Sequence, residues 1–253
     1  MQNDNITIVE QFTLPSKGLV YKTKVNPNIS LRSMTTAEEM RRLQPSDRPM
    51  KVMCDILDAC FVDKPGISAY DMCLGDYQFL LHRLRMVTYG EDYKVHTQCP
   101  YCLSSIDDTI KLGDLKVNEY TEEVQKYFEL DLPRTKHHIK LRMQTPRMLD
   151  EIQVRAKEYN KQRSNKKGDS ALLFNVQFLI ETVDGETLDS IKKEEFVEEL
   201  PMMDVNYILA YSDKFNQEVG LDLSLTMVCD VCGLESVQTF REGSEFFRPT
   251  VDI

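Results

Sequence analysis

Four of the chain's seven cysteines fall in two CxxC pairs, Cys99-Pro100-Tyr101-Cys102 and Cys229-Asp230-Val231-Cys232, with 126 residues between them. Two such pairs make a complete four-thiolate set for a tetrahedral ion such as Zn²⁺, each pair supplying two ligands from one tight turn. If one ion takes all four, the chain must return to position 99 after a long excursion, and whatever it folds into has to satisfy that closure. The flanks fit two hairpins. Tyr93 to Thr97 alternates polar and apolar residues before the first pair and Ile106 to Leu112 after it; Leu221 to Thr226 precedes the second pair and Ser236 to Phe240 follows. Gly233 directly follows the last cysteine and relaxes that turn. A split zinc ribbon with two knuckles is therefore expected, its ligands Cys99, Cys102, Cys229 and Cys232 and its content one structural Zn²⁺ per chain. His96, a conceivable substitute ligand, is expected to face solvent or pack on the hairpin.

The spacing is far beyond the ~15 to 20 residues of a compact ribbon. The competing reading is two unrelated pairs, one of them a redox pair, but redox CxxC motifs favour the N-terminus of a helix, where a thiol pKa is lowered. Neither pair has that setting. An internal repeat accounts for the distance instead. Ile29-Ser30-Leu31-Arg32 and Ile139-Lys140-Leu141-Arg142 are short strands of the same I-x-L-R form, each leading to a threonine and a helix. Thr36 and Glu39 have capping-box spacing, and Pro146 after Thr145 suits a first helical position. An apolar helix is expected around Val52 to Phe61 in the first half and from Leu172 to Val183 in the second. Asp76 and Asp204 then open helices as expected caps, each running toward a glycine, Gly90 or Gly220, a strand and a CxxC pair.

The expected architecture is α+β: a helical body with short strands, an internal pseudo-twofold duplication, and two zinc-knuckle hairpins forming one split ribbon. Residues 1–28 form an N-terminal strand and loop segment, 29–118 the first repeat and 119–253 the second, within one compact unit. Much of the second copy's extra length lies in the polar, lysine-rich stretch from Lys157 to Ser170. That stretch reads as a solvated helix extension or, alternatively, as a docking site formed by Lys157, Lys161, Arg163, Lys166 and Lys167.

Composition decides between classes of function. With 41 acidic against 31 basic side chains and a net charge of −10, the chain is poorly suited to gripping nucleic acid, which needs a concentrated basic surface. A nucleic-acid-binding zinc ribbon remains the main alternative, yet Asp107, Asp108, Asp222, Asp230 and Glu235 crowd the knuckles. No stretch approaches the ~20 apolar residues of a membrane helix, and the first residues lack a signal peptide's basic start and apolar core. A reducing cytosol is expected, and an odd cysteine count agrees with it. Cys54, Cys60 and Cys73 are expected to be small buried hydrophobes. No phosphate-binding loop, dinucleotide fingerprint, HExxH or nucleophile elbow is present. His137 and His138 read as neighbours on a strand, and Arg32 and Arg142 either pair with carboxylates or lie on the surface. A zinc held by four thiolates has no open position for an activated water, so no catalytic residue and no enzyme activity is expected, a CxxC oxidoreductase being the less favoured alternative.

Several segments also carry a family resemblance. Phe12-Thr13-Leu14-Pro15-Ser16-Lys17-Gly18 with Tyr21, the strand Ile29 to Arg32 leading to Thr36-Ala37-Glu38-Glu39, Gly75-Asp76, Arg83-Leu84-Arg85, Tyr89-Gly90 with Tyr93, and Cys99-Pro100-Tyr101-Cys102 together resemble the baseplate hub and hub-assembly proteins of T-even-type contractile phages. The match is densest over residues 10–115; Leu103 stands where such knuckles commonly carry glycine. The resemblance implies a non-enzymatic phage protein whose partners are other baseplate or hub proteins; composition and the lack of an apolar span already argue against a membrane or nucleic acid as partner. It implies action in the host cytoplasm during tail assembly, as a hub component of the virion or as an assembly factor.

Overall fold

The structure, a computed structural model, describes residues 8–162, 170–240 and 246–247. It is a mixed α+β fold of small antiparallel sheets around helices. Strands β1 (Val9–Thr13) and β2 (Asn28–Arg32) form a two-stranded sheet, followed by helices α1 (Thr36–Arg42), α2 (Pro49–Cys60) and α3 (Leu74–Tyr89). The first knuckle hairpin is β3 (Asp92–Gln98) with β4 (Ser105–Lys111), and β5 (Val117–Asn118) comes next. After a 3-10 segment come β6 (Glu129–Asp131) and β7 (His138–Leu141), then α4 (Pro146–Gln162), α5 (Ser170–Leu179) and β8 (Ile180–Val183), with sheet order β6-β7-β8. Helices α6 (Ser190–Glu199) and α7 (Met202–Glu218) lead to β9 (Gly220–Leu221), which pairs with β5, and to the second hairpin, β10 (Ser224–Val228) with β11 (Glu235–Thr239). No helix among the described residues is long and apolar enough to cross a membrane.

Helix α3 is apolar on several faces rather than along one stripe, so it lies at the centre of the first core, with Phe79, Leu80, Leu81 and Leu84 all buried. That core takes in Leu14, Ile29, Leu31 and α2 residues from early in the chain, and also Leu221, Met227, Cys229 and Phe240 from its far end. A second core is built from residues 130–208, among them Leu132, Ile139, Leu141, Val176 and Ile208. A smaller cluster of Cys73, Tyr120, Val124, Phe215 and Val219 packs where α3 meets α7.

The crossing that delivers the second hairpin depends on two glycines. A Cβ on Gly75 would lie 1.9 Å from the Val219 carbonyl oxygen, and one on Gly220 would lie 2.8 Å from the Gly75 Cα. Gly220 also has φ +129°, where side chains are strained. Only with no side chain on either can the first turn of α3 touch the entry to β9. The register Val117↔Leu221 and Asn118↔Gly220 then fixes the second hairpin beside the exit of the first.

Several sequence expectations are corrected. The cap of α1 is Thr35 with Glu38, one residue before the Thr36 and Glu39 pair: the Thr35 backbone N–H and hydroxyl donate to the Glu38 carboxylate at 2.6 and 2.7 Å. The expected helix from Leu172 to Val183 stops at Leu179, because Ile180–Val183 is claimed by the β7 edge. Asp76 and Asp204 lie in the first turns of α3 and α7, but neither caps its helix. Each is fully buried and binds a remote loop. Asp76 accepts from the Ser16 N–H (2.9 Å), the Ser16 hydroxyl (2.5 Å) and the Tyr21 hydroxyl (2.6 Å); Asp204 accepts from the Arg134 N–H (2.8 Å) and from the Thr135 N–H and hydroxyl (2.9 and 2.8 Å). Thr145 does cap α4, its hydroxyl accepting from the Met148 N–H at 3.2 Å. Of the basic stretch, Lys157 pairs with Asp47 at 3.4 Å and Lys161 is exposed, while Arg163, Lys166 and Lys167 lie outside the described residues. His137 and His138 each meet a carboxylate, Asp184 and Asp131, at 2.6 and 2.8 Å.

Arg32 is paired: its guanidinium lies 2.5 Å from Glu38 and donates to the Ala59 carbonyl. The Arg32 hydrogen bonds, helped by those from Thr35 and opposed by burial, hold the Glu38 carboxyl at about 2. A free glutamate titrates near 4.3, so the pair's contribution is complete above that pH and disappears as pH falls through about 2. Glu38→Gln should therefore cost about 1 kcal/mol at pH 7 for this partly exposed pair, and urea denaturation at decreasing pH should show the gap to wild type closing by about pH 2. Gly75→Ala should cost about 3 kcal/mol, because the obstacle is backbone on both sides. Its urea midpoint should fall with no change in the denaturant slope.

Candidate metal centre

The two knuckles have the same backbone. In the first, the Cys99 N–H donates to the Ser104 carbonyl (2.9 Å) and the Leu103 N–H to the Cys99 carbonyl (3.0 Å); in the second, Cys229 donates to Leu234 (3.1 Å) and Gly233 to Cys229 (2.8 Å). Both turns need a left-handed residue one place after the second cysteine. Gly233 has φ +69° and Leu103, at the matching position, φ +61°. Because these turns aim successive N–H groups inward, the two cysteines of each pair present their sulfurs to one side.

The hairpins meet through their inner faces. Val95 and Ile106 of the first and Met227 of the second are buried, and Gln238 reaches across to the Thr97 hydroxyl and donates to the Gln98 carbonyl at 3.2 Å. Tyr93 and Phe240 pack edge to face, 5.2 Å between ring centres. These contacts bring the four sulfurs of Cys99, Cys102, Cys229 and Cys232 within 4.8 Å of one another. Cys99 lies 3.7 Å from Cys232 and Cys102 lies 3.6 Å from Cys229, so each close pair joins one knuckle to the other. Four sulfurs at about 2.3 Å from a tetrahedral ion stand about 3.8 Å apart. The cluster thus has the size and donor chemistry to hold a metal ion. Cys99 and Cys229 are buried, Cys102 and Cys232 exposed, which places the cluster at the rim of the first core.

Ser104 is a participant that the motif search did not single out. Its hydroxyl stands 2.9 Å from the Cys102 sulfur and 3.1 Å from that of Cys229, bridging the knuckles. It is the main reason the Cys229 thiol drops to about 6, with N–H groups of Cys232 and Val231 assisting, and the Cys102 thiol is lowered by the same hydroxyl. Cys232 goes the other way, to about 12: the Leu234 N–H favours its thiolate, but desolvation and the three neighbouring thiols outweigh that. Four crowded sulfurs do not all ionise without a cation among them. The one available signal for Ser104 was its place two residues after a CxxC cysteine.

His96 is on the outer face of β3, exposed and paired with Asp107. The remaining cysteines, Cys54, Cys60 and Cys73, are fully buried and apart from the cluster. Burial raises all three thiols, Cys60 to about 11, so they stay protonated and inert.

The T4 bacteriophage base plate protein family matches the chain over residues 7–248, spanning both knuckles and every strand and helix described. The chain belongs to that family. No curated protein and no solved structure matches it. As a base plate protein it works among other proteins of the phage tail. In this base plate protein the four-cysteine cluster joins two distant parts of the chain, and Leu103 is the non-glycine residue of its two turns that stands in the left-handed region. Leu103 is 67% exposed, so Leu103→Gly loses little packing while relieving the left-handed strain. A net gain of about 0.5 to 1 kcal/mol is expected, and calorimetry should show the melting midpoint rising by about 2 °C.

Proposed function

We propose that the chain is a non-enzymatic, zinc-stabilised scaffold of the tail baseplate hub, serving as a hub component or in hub assembly within the host cytoplasm. The carrying observation is the cross-knuckle sulfur geometry, 3.6 and 3.7 Å, which suits a closed tetrahedral ion with Cys99, Cys102, Cys229 and Cys232 as ligands. Zinc is preferred because thiolates in CxxC turns match its borderline-soft character and it needs no redox role. Four thiolates leave no position for substrate, which supports a structural ion. The hub assignment rests on the resemblance of residues 10–115, within the base plate family.

The same reading includes an internal duplication. Strands β1 and β6 each lead to Leu-Pro, at Leu14-Pro15 and Leu132-Pro133, then to a lysine in the left-handed region, Lys17 at φ +53° and Lys136 at φ +65°. Each turn is held by a buried helix aspartate, Asp76 or Asp204. The I-x-L-R strands then take a second partner at the same place, Leu31 with Phe61 and Leu141 with Ile180. These correspondences support two copies, each ending in a knuckle, with the first repeat extending back from 29–118 to include β1 as the counterpart of β6 within 119–253.

Elemental analysis of the purified chain should find one zinc per chain, and Cys99→Ser and Cys229→Ser should each lose it together with several kcal/mol of stability. Zinc retained in full by either variant would show that the knuckles do not share one site.

A further inference from the structure

Away from the cysteine cluster, a cleft of about 1090 Å³ opens between the turn at residues 19–23 and the 3-10 segment before β6, with the end of β7 as its floor. Its charges are unbalanced. Of its three carboxylates, Glu181 is bound by Lys22 at 2.8 Å, Glu129 is 3.8 Å from Lys140, and Asp71 is held by Arg147 outside the cleft at 2.6 and 2.8 Å. Arg142 and Lys126 also line it; neither forms a direct ion pair among the described residues, although Glu181 feels the Arg142 charge and Lys126 lies over the Tyr127 ring at 5.1 Å. The surplus is therefore positive, on a chain of net charge −10.

Arg142 lacks the direct ion pair its counterpart has, since Glu181, which feels its charge, is bound directly by Lys22. Its counterpart Arg32 is neutralised by Glu38, six residues on, whereas six residues after Arg142 stands Met148. The Arg142 guanidinium is left exposed at the cleft while its backbone N–H is fixed to the Leu179 carbonyl at 2.7 Å. The walls between these charges are apolar: Leu19, 64% exposed, on one side, and Phe128 and Met143 on the other.

We infer that this cleft, with Arg142 and Lys126 as its cationic contacts and Leu19, Phe128 and Met143 as its apolar wall, docks an acidic segment of a partner protein. Alternating acidic and apolar side chains satisfy both features at once. A phosphate backbone supplies the charge but no apolar side chains for the wall of Leu19, Phe128 and Met143. This inference goes beyond the metal centre and does not depend on it.

The test uses the full chain and fluorescence anisotropy with three labelled probes: a short peptide of alternating glutamate and leucine, its lysine-for-glutamate counterpart, and a single-stranded oligonucleotide. The glutamate peptide should bind, weakening as salt rises, and the other two should not. Arg142→Glu with Lys126→Glu should weaken it at least tenfold, Leu19→Ser about threefold. The milder pair Arg142→Ala with Lys126→Ala should weaken it in the same direction if the reversal disturbs folding, which circular dichroism reports. No binding of the glutamate peptide, equal binding of the lysine peptide, preference for the oligonucleotide, or unchanged affinity in a folded double variant would overturn the assignment.

Discussion

Gly75 and Gly220 touch backbone to backbone, and the return of the chain to its first half depends on that contact. It sets how closely the entry to β9 approaches α3, and through the β5–β9 pairing it sets where the second hairpin stands. The four sulfurs converge because this crossing has been fixed upstream of them. A side chain at either position would push apart the two surfaces on which the knuckles are mounted.

The residue after Gly75 does complementary work. Asp76 is buried among Ser16, Tyr21 and Cys73, and its carboxyl is raised chiefly by burial, against the pull of its hydroxyl and N–H donors. Its donors Ser16 and Tyr21 tie the N-terminal turn onto α3. Asp204 does the same for the turn at Arg134-Thr135; burial pushes its pKa up, but two backbone N–H groups and a hydroxyl outweigh that and lower it. Both carboxylates are anchors for loops that would otherwise carry unsatisfied polar groups, and neither opens onto a cleft where chemistry could use it.

The hairpins were legible because strict alternation on both sides of a CxxC pair leaves little else for the backbone to do. What the sequence hid were relations between distant residues. A helix-opening aspartate reads as a cap and carries no sign of a partner at Ser16 or Thr135, so the roles of Asp76 and Asp204 stay hidden in the sequence. The strand Ile180–Val183 reads as the last turn of an apolar helix; only the edge of β7 makes it a strand. The shift of the α1 cap from Thr36 to Thr35 arises because two adjacent threonines compete and the one whose Glu38 also serves Arg32 prevails. Ser104 shows the same limit at the cysteine cluster: its partner Cys229 is 125 positions away.

The order of synthesis gives the 126-residue separation a meaning in time. A ribosome adding about 5 to 20 residues per second makes Cys99 and Cys102 roughly 6 to 25 s before Cys229 and Cys232 exist. Throughout that interval the first knuckle has only two of the four sulfurs of the cluster. The four sulfurs can therefore come together only after the intervening helices and sheets have been made, which ties the cluster to the last part of the chain's synthesis.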